Sequence, residues 1–372
     1  MSAAIKNRVS FMNKQSDRLP SQTNLMSNEQ SSHFFGFAVI SIFLLLVSIL
    51  AAISIGSVDI SIGDILTSIF ICSGNSPITE CAINPISHQI IWDIRLPRIF
   101  MALLTGAGLS VTGAILQSVT RNPLADPYLF GISSGASLGA VIVMAALSTA
   151  TLSDTPVSIT FGALIGSAFS VVLMLTLAGR SAIHVERLLL SGVAVSFMLS
   201  AFTSLILYYS EPDTAATLLF WMMGSFSNSQ WAELWMPATA LTIGVSLFFI
   251  YRRWLAAIQA GDESALTLGI PVNKMRLFML LICAAITAVL VAHVGGIGFV
   301  GLMIPHISRF IVGTQIHRLL FMTLVLGGSF MIWVDVIARS LLDNQVLPVG
   351  IVTSAVGSFF FFIILKHRQP QT

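Results

Sequence analysis

Long apolar runs separated by short polar breaks organise this chain. Runs at 34–55, 96–116, 129–147, 157–177, 188–208, 234–250, 277–294, 297–312, 319–337 and 347–365 approach or reach the length of a bilayer span. A helix needs roughly 17 to 25 apolar residues to cross the hydrocarbon core. The pattern therefore predicts an all-α polytopic membrane protein with about ten transmembrane helices. Residues 214–223 are apolar but too short to cross. They predict an interfacial helix, with Trp221 and Trp231 at headgroup depth.

Composition agrees with that pattern. Charged residues are 9% of the 372, against about 25% in a typical soluble domain. Apolar residues are 55%, and the mean hydropathy is +0.90. A soluble fold could not cover that surface with polar groups, whereas lipid-facing positions demand apolar side chains. The net charge of +2 is small, and no basic stripe with interleaved aromatics points to nucleic acid.

Basic residues set the expected orientation. If ten helices alternate from an inner N-terminus, fifteen of the eighteen Lys and Arg fall inside. Only Arg95, Arg98 and Arg339 fall outside, so the positive-inside rule predicts two cytoplasmic termini. Residues 1–33 are polar, carry Lys6, Arg8, Lys14 and Arg18, and lack the short apolar core of a secretory signal. They read as a flexible cytoplasmic tail.

The chemistry that is missing narrows the function. Ion-coupled carriers place ionisable residues near the bilayer midplane, and here the spans hold almost none there. Asp126, Asp335, His293, His306 and Arg309 all fall toward span ends or loop edges. His306 reads as a polar cap behind Pro305, with no metal-ligand spacing around it. No catalytic motif, metal motif or phosphate-binding loop is present, so no catalytic residue or metal site is assigned. Any ATP-driven engine must be a separate chain. Cys283 reads as a buried thiol. Cys72 and Cys81 flank Ser73–Pro77 in an outer loop, where a disulfide and two free thiols both remain open. Gly131, Gly135 and Gly139 form overlapping small-xxx-small units for close helix packing, with Gly106, Gly113, Gly327 and Gly328 in similar positions.

Four motifs occur in order. Trp92-Asp93-Ile94-Arg95-Leu96-Pro97-Arg98 opens the second span. Arg121-Asn122-Pro123-Leu124-Ala125-Asp126-Pro127 leads into Gly131-Ile132-Ser133-Ser134-Gly135. Gly298-Phe299-Val300-Gly301-Leu302 runs into Ile304-Pro305-His306, and Leu347-Pro348-Val349-Gly350 opens the tenth span. Together these closely resemble the FecCD family of ABC importer permeases, which serve iron–siderophores, haem and cobalamin. The resemblance covers 34–366 as one permease domain and leaves 367–372 as a short cytoplasmic tail.

The resemblance implies the type II ABC importer permease fold in a bacterial inner membrane. It also implies a second permease subunit (identical or paralogous), two cytoplasmic ATPases and a periplasmic substrate-binding protein. No cofactor is expected on this chain; ATP and Mg belong to the ATPases. Arg95, Arg98 and Arg339 correspond to positions that form pockets for acidic residues of the binding protein, a role suited to the guanidinium fork. The alternative is that they snorkel to headgroups or pair with Asp93 and Asp335. The segment Gly261-Asp262-Glu263-Ser264-Ala265-Leu266-Thr267-Leu268-Gly269 resembles the family's coupling segment. Ala265 and Leu268 would seat in an ATPase groove and Gly269 would stop the helix. Pro97, Asn122, Pro123, Asp126, Pro127, Gly131, Gly135, Pro305, His306, Pro348 and Gly350 match packing and motif positions.

The sequence departs from the family pattern at Val346, where Glu is usual, at Gly357-Ser358-Phe359 for Gly-Ala-Pro, and at Gly295-Gly296 for Gly-Pro. Iron–siderophore is the expected cargo because it is the family's commonest, with haem and cobalamin as alternatives. An ion-coupled secondary transporter is the rival from another class.

Overall fold

The computed structural model describes residues 19–56, 60–70, 84–149, 156–179, 185–342 and 345–367, and among them the regular elements are all helical. Two units are distinguished. Residues 1–44 hold the start of the first helix, and residues 45–372 hold everything after it.

Helix α1 is Leu19–Ser54, with its apolar stretch from Phe34. It starts well before that stretch, inside the segment expected to be tail. Pro20 suits a first helical turn, and neither Pro nor Gly interrupts the chain from there to Gly36. The remainder of the expected tail, residues 1–18, lies outside the described residues, as do 368–372 and both Cys72 and Cys81.

The ten apolar runs become helices. Seven of them are long and apolar enough to cross a bilayer, and three more are shorter apolar helices. After α1 come α2 (Ile62–Phe70) and α3 (Pro85–Gln89), two short helices between the first two apolar runs. A wide π-helical turn, Ile90–Arg95, carries α3 into α4 (Leu96–Thr120). Pro97 lacks the N–H that would bond Asp93, so the widened turn sits where the regular ladder fails. Next are α5 (Ile132–Thr149), α6 (Pro156–Ala178), α7 (Val185–Tyr209) and α8 (Pro212–Met222), the last being the predicted short helix. Helices α9 (Trp235–Ile250), α10 (Arg252–Ala260), α11 (Asp262–Thr267) and α12 (Val272–Val294) follow. The chain ends with α13 (Val300–Val312), α14 (Ile316–Ser340) and α15 (Val349–His367).

Helix α4 is the core of the second unit. It packs against α14, α12, α13 and α9, and nearly all its residues are buried. Its own sequence explains this. Gly106, Ala107, Gly108, Ser110, Thr112, Gly113 and Ala114 leave a narrow shaft that lets neighbours approach to backbone contact. A Cβ at Gly106 would lie 2.1 Å from the Gly327 carbonyl oxygen, and one at Gly113 would lie 2.0 Å from that of Gly301. Helices α5 and α6 repeat the device through Gly135 against Gly166 and Gly139 against Gly162. Gly131 is also closely packed, with Ser170 Oγ 2.8 Å from where a Cβ would lie, but it stands outside the helix. It precedes α5 in a left-handed turn at φ 72°, a conformation that favours glycine.

Several buried polar groups within this core are satisfied locally, whereas the Thr105 and Ser110 hydroxyls on α4 are buried without a hydrogen-bond partner. The Thr112 hydroxyl donates to the Gly108 carbonyl at 2.9 Å, and that of Ser118 to Ala114 at 2.8 Å. Gln117 donates to the Gly301 carbonyl at 3.1 Å and accepts from Arg309. Such self-contained pairing is what an apolar solvent requires.

Candidate functional site

The structure brings Arg95, Arg98 and Arg339 together at one end of α4 and α14. Asp335 is the hub, with its side chain 1% exposed. Arg98 Nε donates to both Asp335 oxygens, at 2.8 and 3.0 Å, and its Nη2 lies 2.7 Å from Oδ1. Arg339, one helical turn from Asp335, places Nε 3.6 Å from the other oxygen and donates Nη2 to the Ala52 carbonyl. Arg95 donates to the carbonyls of Ile53 and Ser54 where α1 ends, and Arg98 also reaches the Ser227 hydroxyl at 3.3 Å. The cluster therefore ties α1, α4, α14 and the segment after α8 into one end of the bundle.

Sequence reasoning placed these arginines on an outer surface, and in the structure they are buried. Arg95 is 4% and Arg98 8% exposed. The pairing alternative holds for Asp335. Asp93 is exposed and takes part in no ion pair among the described residues. Burial follows from geometry, because a carboxylate inside a bundle is stable only where cations and donors surround it.

The opposite end carries the short helix α11. Thr267 ends it, and Gly269 turns the chain at φ 76° into Pro271 and α12. Glu263 is exposed, as are Leu266 at 59% and Leu268 at 71%. Ala265 is fully buried. The expected apolar surface of Ala265 with Leu268 is thus corrected to Leu266 with Leu268. Leu268 lies just past Thr267, where α11 has ended, so helical spacing no longer sets it on the same face as Ala265. Gly261 joins α10 to α11 at φ 142°.

Asp262, which sequence reading left in the background, fastens α11 to the bundle. Its carboxylate lies 3.0 Å from Arg121 Nη2 and 2.9 Å from Arg276 Nη2. Arg276 Nε donates in turn to the Val119 carbonyl at 3.0 Å. Arg121 caps α4 in the left-handed region, at φ 51° and ψ 29°. An acidic residue opening a short helix, with arginines at two other chain breaks, was the available signal.

The remaining motif residues shape turns. The Asn122 side chain accepts from Leu124 N at 2.9 Å around Pro123, and that of Asp126 accepts from Tyr128 N at 2.7 Å as Pro127 begins a short 3-10 turn. His306 sits mid-helix beside Pro305 in α13, not at a helix end as expected, with its ring near Phe310 and Phe360. Gly350 donates its N–H to the Met223 carbonyl at 2.9 Å. Pro348 and Val346 line a cavity of about 520 Å³ with Trp221, Glu233 and His293.

These features define a multi-pass helical membrane protein with a buried cationic cluster at one end and an exposed apolar short helix at the other. The chain belongs to the FecCD transport family, whose model matches residues 44–367. It is 36% identical to the cobalamin import system permease protein BtuC of Halobacterium salinarum, over 76% of this chain and 75% of that protein. It is 34% identical to the Fe(3+)-citrate import system permease protein YfmD of Bacillus subtilis, over 85% of this chain and 90% of that protein. Among solved structures it resembles a transporter assigned to the metal-chelate ABC type in an inward-facing conformation. The TM-score there is 0.77 at 28% identity, covering 89% of this chain and 99% of the other. The chain is thus a permease subunit of a type II ABC importer.

Proposed function

We propose that this permease imports an iron–siderophore complex across a bacterial inner membrane, driven by ATP hydrolysed on partner subunits. Two cytoplasmic ATPases seat against α11, a second permease subunit completes the path, and a periplasmic binding protein delivers the chelate at the Arg98 end. The observation that carries the mechanism is the exposed Leu266–Leu268 pair on a helix otherwise anchored to the bundle. An apolar patch held on a rigid support suits a protein partner, because little order is lost on docking. With α11 inside, the excess of basic residues also lies inside and both termini are cytoplasmic.

The iron-chelate reading draws on the likeness to YfmD and to the metal-chelate ABC structure. Likeness to BtuC favours cobalamin as the second reading. Uptake of labelled ferric siderophores, haem and cobalamin in cells with and without the gene tests both. Loss of ferric-siderophore uptake alone upholds the proposal. Loss of cobalamin or haem uptake alone replaces it, and uptake that survives removal of the ATPase would favour an ion-coupled carrier.

A further inference from the structure

We propose that Asp262 is a positioning residue that transmits displacement of α11 to the end of α4 and the linker beyond it, acting through Arg121 and Arg276. The inference rests on the reading of α11 as the ATPase-facing segment.

Three observations carry it. First, one carboxylate joins two arginines that belong to different elements. Arg276 lies in the first turns of α12 and is 8% exposed at its side chain, while Arg121 caps α4 and is 45% exposed. Arg276 also holds the Val119 carbonyl at 3.0 Å, two residues back along α4 from the cap. The carboxylate is therefore connected to α4 twice, by a buried pivot and by an exposed strut.

Second, Arg121 occupies backbone space that favours glycine. Of the described non-glycine residues, only Arg121 and Phe299 have positive φ. A glycine would end α4 with less strain. Arginine adds only its side chain, and that side chain reaches Asp262. Strain retained at such a point is a pointer to function.

Third, the residues after Arg121 are tied to the last turn of α4. Asn122 N donates to the Thr120 hydroxyl at 3.4 Å, and the Asn122 side chain closes the turn to Leu124. Leu124 is 59% exposed. Any rotation of the cap is passed to this linker before it can dissipate. A half-exposed ion pair contributes little to stability, so a purely stabilising role would leave it dispensable. Its placement between a partner-facing helix and the central shaft gives it a mechanical role instead.

The test uses the complete complex in nanodiscs, with Cys72 and Cys81 replaced by serine and an environment-sensitive fluorophore at Ser264→Cys or Leu124→Cys. ATP, Mg and vanadate trap the closed ATPases. In the parent both labels respond. In Asp262→Asn and Arg121→Gly the α11 label still responds, while the Leu124 response falls at least fivefold; Asp262→Glu restores it. Arg121→Gly relieves the left-handed strain, so its thermal midpoint stays at or above the parent's and misfolding cannot explain the loss. An undiminished Leu124 response in both variants, or none in the parent, overturns the inference. Failure of the underlying reading looks different. The α11 label is then silent in every protein, and Leu268→Asp leaves ATPase co-purification intact.

Discussion

Arg98 and Asp335 lie 237 residues apart in the chain, yet Nε of one donates to both oxygens of the other. The pair closes α4 against α14 about two turns from the point where Gly106 and Gly327 bring their backbones together. Removing one partner leaves an uncompensated buried charge, which costs about 3–5 kcal/mol. Asp335→Asn is expected to lower the thermal midpoint in detergent sharply. The double variant Arg98→Met with Asp335→Leu is expected to recover part of the loss, because the apolar pair removes the charge together with its solvation demand. Equal loss in single and double variants would show that packing dominates over charge at this position.

The glycine contacts make a second expectation. At Gly113 a methyl group would collide with the Gly301 backbone, which cannot rotate away. Gly113→Ala is expected to destabilise by about 1–3 kcal/mol through overpacking. Gly298 has nothing within 4 Å of the same added atom, so Gly298→Ala is expected to be neutral. Comparing thermal midpoints of the two variants checks the claim, and matching values would contradict it.

The exposure difference along α11 predicts opposite outcomes at neighbouring positions. Leu268 is 71% exposed and Ala265 is fully buried. Leu268→Asp is expected to leave the permease folded while reducing ATPase co-purification at least fivefold. Ala265→Asp is expected to unfold α11 locally, since an unpaired carboxylate would enter an apolar site. Size-exclusion profiles separate the two effects, and normal ATPase retention in Leu268→Asp would count against the proposed contact.

Much of this architecture was legible in the chain because lipid is an exacting solvent. Each span had to be a continuous apolar run, so the helices could be placed from run length, and α8 stood out by its shortness. Burial of charge was harder to see. Arg95, Arg98 and Arg339 break the expected charge asymmetry, which drew attention to them, but periodicity does not say whether a cation at a helix end points outward or into the bundle. That answer depends on Asp335, which lies in a distant helix. Asp262 was obscured for the same reason, since its partners Arg121 and Arg276 come from two other elements. The inward face of Ala265 was lost because six residues are too few to define a stripe.

The arginine end supports a last expectation, concerning the binding protein. Three guanidiniums lie at this end with one carboxylate, Asp335, which pairs with Arg98 and Arg339, while Arg95 and Arg339 also donate to backbone carbonyls. The excess positive charge suits an acidic side chain from outside that completes the cluster, with guanidinium forks offering paired donors. Arg95 bonds carbonyls rather than Asp335, so Arg95→Gln removes a charge while leaving the central ion pair in place. This variant is expected to weaken binding of the partner binding protein about tenfold, equivalent to roughly 1.4 kcal/mol. The parent's affinity is also expected to fall as salt rises, and the variant's to fall less steeply. Surface plasmon resonance on nanodisc-held complexes, with thermal midpoints as a folding control, reads both slopes. A folded variant with parental affinity and parental salt dependence would confine the three arginines to holding the bundle together.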